Sequence, residues 1–112
     1  MPNDNIVELK TRDELATFIK KHPVVILKFT ATWCGPCKRI ASLVKELFSE
    51  MPSNVFMVVI DIDKARDIAS YLNIKSVPTM CNYVKGEPMD SVIGSNSEKI
   101  ISFFKKTAAR TS

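Results

Sequence analysis

The chain is expected to fold as an α/β domain: a mixed sheet with helices on both faces. Three observations predict it. The hydrophobic period switches repeatedly between two and about 3.6 along the chain. Strand and helix patterns alternate in the first half, whereas two strands joined by a Gly-Pro turn come late. No internal repeat, low-complexity tract or linker divides the sequence, so residues 1–112 read as one domain.

The elements follow in order. Ile6-Val7-Glu8-Leu9 is a short strand. Thr11-Arg12-Asp13-Glu14 has the pattern of a capping box, opening a helix that shares Leu15, Phe18 and Ile19 on one face and stops before Pro23. Val24 to Phe29 is almost continuously apolar, as a central parallel strand covered on both faces would be, and only Lys28 interrupts it. From Cys34 a long helix runs to about Met51, burying Ile40, Leu43, Val44, Leu47 and Phe48. Val55 to Ile60 is a second buried strand, and Lys64 to Leu72 a short helix closed by a left-handed Asn73. Thr79 to Val84 and Met89 to Ile93 form an antiparallel hairpin about a Lys85-Gly86-Glu87-Pro88 turn. Ser95-Asn96-Ser97-Glu98 is a second capping box, and Ile100, Ile101, Phe103 and Phe104 give the last helix its apolar face.

Composition narrows the function classes. With 112 residues, 46% of them hydrophobic, the chain has enough core to fold without disulfide staples or a structural metal. Three cysteines are an odd and sparse set, which fits a reducing compartment. Met1-Pro2-Asn3-Asp4-Asn5 lacks the basic start and apolar stretch of a secretory signal. The longest apolar runs fall far below the roughly 20 residues of a membrane helix. A soluble, cytoplasmic protein without a membrane partner is expected. The net charge of +4 comes from lysines and arginines scattered between Lys10 and Arg110, with no interleaved aromatic stripe, so nucleic acid is not an expected partner.

The chemistry is concentrated in Trp33-Cys34-Gly35-Pro36-Cys37-Lys38, between a buried strand and a helix start. Residues three apart on a helix have Cβ atoms about 5–6 Å apart, and a small adjustment brings two such thiols within disulfide reach. The first helical turn offers unpaired N–H groups and the positive dipole end, both favouring thiolate over thiol. The dipole alone, about 0.3–1 kcal/mol, lowers a thiol pKa by less than about one unit. Direct N–H to sulfur bonds and nearby cations must add the rest, and Lys38 and Arg39 are candidates for the second role. Pro36 costs little, because an amide there has no intrahelical partner. A zinc site would have only Cys81 and His22 to complete it, wrongly spaced, so no metal is expected. A structural disulfide across so short a loop would stabilise little. Reversible dithiol exchange is the remaining reading of the pair.

Together with Asp61-Ile62-Asp63, Val77-Pro78-Thr79, Lys85-Gly86-Glu87 and Gly94, this segment resembles the thioredoxin family over nearly the whole chain. The resemblance implies the thioredoxin fold, five strands in a mixed central sheet flanked by four helices, and an enzyme that reduces protein disulfides. It implies that Cys34 is an exposed nucleophile and Cys37 a more buried resolving thiol. Val77-Pro78 would form a cis-proline loop, and Trp33, Gly35, Pro36, Val77, Pro78 and Gly94 a shallow docking surface. No bound cofactor is implied. NADPH and FAD would enter only through a partner, a thioredoxin reductase, or another dithiol donor would supply the electrons. Disulfide-containing proteins such as peroxidases and reductases would be the targets of a monomeric protein. A disulfide oxidase or isomerase is a second reading, against which Gly35-Pro36 and the unsignalled N-terminus speak. A binding module that uses the basic charge is a third.

The departures from the family pattern are informative. Most thioredoxins place a buried Asp where this chain has Lys28, and its usual lysine partner corresponds to Val59. Lys28 is expected either to act as a base, to favour a nearby thiolate as a cation, or to pack its stem while its amine reaches solvent. Ser42 replaces a helix-kinking proline. Met80-Cys81-Asn82-Tyr83 replaces apolar and aromatic residues, with Cys81 expected as an inert packed thiol. His22 is expected as a helix C-cap without catalytic role.

Overall fold

The computed structural model describes residues 5–111; the string Met1-Pro2-Asn3-Asp4, read above for a leader, and Ser112 lie outside the described residues. The chain runs through β1 (Ile6–Glu8), α1 (Arg12–Lys21), β2 (Val24–Thr30), α2 (Gly35–Ser49), β3 (Val55–Asp61), α3 (Arg66–Tyr71), β4 (Thr79–Val84), β5 (Glu87–Ile93) and α4 (Ser97–Ala109). The strands form one sheet in the order β1-β3-β2-β4-β5. β3 pairs in parallel with β1 and β2, while β4 pairs antiparallel with β2 and β5. The expected five strands and four helices are therefore present. β2 is central, but parallel on one side only. The crossover through α2 returns β3 in the same direction, whereas β4 enters from the opposite end.

Alternation along β2 splits the core in two. Val24 and Ile26 join Ile40, Val44 and Phe48 of α2 and Ile100, Phe103 and Phe104 of α4. Val25, Leu27 and Phe29 join Leu15 of α1 and Ile68 of α3 on the other face. A two-sided sheet strand must be apolar at successive positions, which is why 24–27 carry no polar side chain.

Local signals set most boundaries. Thr11 caps α1 by accepting the Glu14 N–H at 3.2 Å, and Glu14 Oε1 accepts the Thr11 and Lys10 amides at 3.1 and 3.0 Å. Those backbone donors hold the Glu14 carboxyl below its ordinary pKa. His22 is the C-cap, donating its N–H to Phe18 O, with its ring 4.4 Å from that of Phe18 and 4.0 Å from that of Phe56. Asn73, after α3, is left-handed at φ 57°.

Several boundaries differ from expectation. β1 ends at Glu8 rather than Leu9, and α2 at Ser49 with Glu50 as its C-cap. α3 starts at Arg66, because Asp61 Oδ1 accepts the Asp63 and Lys64 amides and holds those residues in a turn. The hairpin turn is only Lys85-Gly86, at φ 53° and 85°, so Glu87 and Pro88 belong to β5. That positive-φ pair matches the twist of the strands, and Pro88 is tolerated because β5 is an edge. The expected Ser95–Glu98 capping box does not form. Asn96 is the N-cap, accepting the Lys99 N–H at 3.0 Å, because its carbonyl lies one residue closer to the helix than Ser95.

Candidate active site

The site is assembled where β2, α2 and the segment before β4 meet. Cys34 is the N-cap of α2, with extended backbone, and Cys37 lies in the first turn beyond Gly35-Pro36. Their Cα atoms are 5.3 Å apart and their sulfurs are joined in a disulfide. The Cys37 N–H donates to Cys34 Sγ at 3.1 Å, so one of the free amides of the helix start is aimed at that sulfur. A hydrogen bond to a charged group is worth about 1.5–3 kcal/mol, more than the dipole acting alone. This is the local reason the motif must sit at a helix N-terminus.

Both cysteines are buried, at 2% and 4% exposure, and cluster with Ala31 against half-buried Ile62 and Val77. This corrects the expectation of an exposed Cys34 above a more buried Cys37. The exposed elements are its neighbours: Trp33 is 65% exposed and Gly35 is open, while Pro36 is half-buried. Trp33 is held by its indole N–H, which donates to Asp63 Oδ2 at 2.8 Å. The Val77–Pro78 bond is cis, as the resemblance implied. Pro78 O accepts the Gly94 N–H at 2.9 Å, tying that loop to the end of β5, where Gly94 holds a φ of 98°. Of the expected docking residues, Val77 packs against the two cysteines, Trp33, Gly35 and Pro36 adjoin them in the chain, and Gly94 is tied by its backbone to Pro78.

Lys38 and Lys28 stand differently. Lys38 is exposed on α2 and makes no side-chain hydrogen bond or ion pair among the described residues. Lys28 is half-buried between Val59 and Met80 in the sheet, and desolvation pulls its pKa below the ordinary lysine value. Cys81 lies in β4 on the opposite face, packed against the α1 and α3 side, where burial pushes its thiol up to about 12. Its inert character follows from that environment.

Two residues adjoining the expected docking set were missed from the sequence. Asp63 orients Trp33, and the Asp61-Ile62-Asp63 string held that information without naming its partner. Ile93 is 67% exposed beside Gly94, and its apolar character at an outward strand position was the available signal.

Residues 6–106 match the thioredoxin family model. The chain is 41% identical over 86 residues to thioredoxin Asp f 28 of Aspergillus fumigatus, covering 76% of this chain and 79% of that one. With human thioredoxin the identity is 37% over 94 residues, covering 84% and 89% of the two chains. Against thioredoxin-2 of Pyricularia oryzae the chain is 38% identical but spans only 47% of that protein's length. Among solved structures, one from a study of thiol resolving in yeast mitochondrial 1-Cys peroxiredoxin via glutathione/thioredoxin systems superposes with a TM-score of 0.83 at 28% identity, over 92% of this chain and 96% of that one. Fold, disulfide and sequence agree that this chain belongs to the thioredoxin family and reduces protein disulfides by thiol–disulfide exchange at Cys34–Cys37.

Proposed function

We propose that Cys34 is the attacking thiol and Cys37 the resolving one. The hydrogen bond from the Cys37 amide to Cys34 Sγ carries this reading, because in the dithiol form the same donor favours a Cys34 thiolate. That thiolate attacks a target disulfide, forms the Cys34–target bond and releases the first target sulfur as a thiolate. Cys37 then attacks Cys34, closing the Cys34–Cys37 disulfide and releasing the second target sulfur. Two electrons pass to the target, and both target thiolates take up the protons the cysteines lose.

Trp33, Gly35, Pro36, Val77, Pro78 and Gly94 form the docking surface in this reading, with Asp63 and Ile93 added at its edges. Cys34 is buried against Ile62 and Val77, so target entry in this reading requires that packing to open. No bound cofactor takes part. A flavin-containing, NADPH-dependent thioredoxin reductase regenerates the dithiol, and peroxidases and reductases with active disulfides are targets. The relation of a structural relative to a peroxiredoxin system supports the peroxidase choice. The protein works as a monomer in the cytoplasm, for which the sparse cysteines are the support.

The test is reduction of a protein disulfide with a generic dithiol donor. Wild type turns over, Cys34→Ser and Cys37→Ser do not, and Cys37→Ser alone accumulates a mixed disulfide. No turnover by the wild type, or trapping by Cys34→Ser instead, would overturn the assignment.

A further inference from the structure

Lys28 occupies a place where a lysine has little to neutralise it. It is the third residue, after Val24 and Ile26, on the face of β2 that meets α2 and α4. The buried stripe of α2 is Cys37, Ile40, Val44 and Phe48. Since α2 leads from β2 to the parallel strand β3, it runs back along β2, with Phe48 towards Val24 and Cys37 at the opposite end. From Phe48 to Cys37 the helix rises about 16 Å at roughly 1.5 Å per residue. From Val24 to Lys28 the strand advances about 13 Å at roughly 3.3 Å per residue. The stripe that begins over Val24 thus reaches Cys37 level with the Lys28 end of the strand.

The charged groups on this face are few, and each is engaged elsewhere or set apart from Lys28. Directly beside Lys28 stand Val59 of β3 and Met80 of β4. Glu8 of β1 shares the face but lies beyond Val59 and is exposed. Asp61 of β3, level with Thr30, caps the Asp63 and Lys64 amides. Asp90 of β5 is held by Arg110. From α4 the buried contacts are Ile100, Phe103, Phe104 and Thr107, none of them charged, and from α2 the one titratable group in the stripe is Cys37. Among the described residues Lys28 has no ion-pair partner.

We propose that Lys28 is a positioning residue for the resolving step: its cation, unpaired in the disulfide form, is the counter-charge that stabilises Cys37 as a thiolate in the dithiol form. The inference rests on the assignment of Cys37 as resolving thiol. Burial disfavours a lone ammonium and a lone thiolate alike, and each relieves the other once both are present. Desolvation of Lys28 in the disulfide form is the matching half of this reciprocity. In the resolving step Cys37 first gives its proton to solvent. Its thiolate then forms the bond to Cys34 Sγ, and the Cys34–target bond breaks. The departing target sulfur takes that bond's electron pair and accepts a proton from water, so protons balance. A charge pairing that exists only before ring closure also favours dithiol over disulfide.

The decisive measurement is the ultraviolet thiolate absorbance of Cys37 in a Cys34→Ser background, titrated alone and with Lys28→Met or Lys28→Arg. Cys81, held high by burial, stays silent over the neutral range. Lys28→Met is expected to raise the pH of half-ionisation by about one unit, the effect of losing one nearby opposite charge, and Lys28→Arg to keep it near the parent value. In the protein with both cysteines, Lys28→Met is expected to shift equilibrium with glutathione about tenfold toward the disulfide, about 30 mV. Superimposable titrations, or Lys28→Arg titrating like Lys28→Met, would overturn the proposal. Trapping of a mixed disulfide by Cys37→Ser and not by Cys34→Ser, read separately, reports on the assignment beneath it, so the two failures are distinguishable.

Discussion

Asn82 and Asp90 are bonded reciprocally across the β4–β5 hairpin: the Asp90 N–H donates to Asn82 Oδ1 at 2.8 Å, and Asn82 Nδ2 donates to Asp90 Oδ2 at 3.1 Å. The ladder shifts register between Cys81 and Tyr83, so a side chain replaces a missing backbone partner there. Asn82 also donates to Thr107 Oγ1 at 2.8 Å, joining the hairpin to α4. Asn82 is fully buried, and its replacement by Ala strands the Asp90 amide and leaves a small void. A loss of about 2–3 kcal/mol is expected, from one or two unsatisfied buried groups at about 1–3 kcal/mol each, and urea unfolding measures it.

Acid should weaken the same junction. The hydrogen bond from Arg110 holds the Asp90 carboxyl below the ordinary aspartate pKa, with burial opposing and Asn82 assisting. A folded-state pKa below the unfolded one gives stability that is complete above about pH 4 and lost as pH falls through the lower folded value. Arg110 is partly exposed, so the contribution is modest. Asp90→Asn should be less stable than wild type at neutral pH and should lose less stability between about pH 5 and 2. Parallel acid-unfolding curves for the two proteins would refute this.

Cys81 should resist alkylation. With its thiol pushed up to about 12, the thiolate fraction at pH 8 is about one in ten thousand. Mass spectrometry after maleimide treatment of the oxidised protein should show no adduct when folded and one in denaturant, where Cys81 is the only free cysteine.

Removing the Trp33 tether should change function more than stability. Asp63 and Trp33 are both exposed, so Asp63→Ala should alter unfolding free energy by no more than about 0.5 kcal/mol. Trp33 is the sole tryptophan, and its fluorescence anisotropy should fall when the 2.8 Å bond is lost. A few-fold rise in KM for a protein disulfide with unchanged kcat would mark the bond as holding a docking group. An unchanged KM would remove Asp63 from the docking surface.

What could be read from the sequence was local. Thr11 and Glu14 are three residues apart and satisfy each other's amides, so the pattern and the bond are nearly the same statement. Cys34 and Cys37 were legible for the same reason. Competition between neighbouring caps was not: Ser95 and Asn96 both suit an N-cap, and only the path of the chain after Gly94 selects Asn96. Pro88 carries a turn signal in the sequence, yet it lies within β5, where an edge position tolerates it. Long-range partners were invisible. The burial of Cys34 depends on Val77, and the place of Asn82 depends on Thr107 of α4, contacts that no spacing rule encodes.

The Lys85-Gly86 turn lies at the far pole of the sheet from the sulfurs, since β4 begins beside the cis loop and ends there. Both turn residues are exposed, the kind of tip that accepts insertions. A linker or surface anchor grafted at this point would therefore present the disulfide outward, away from the support. The fold thus offers a ready orientation for an immobilised reductant, with the reactive pole free to meet large proteins and the opposite pole serving as its handle.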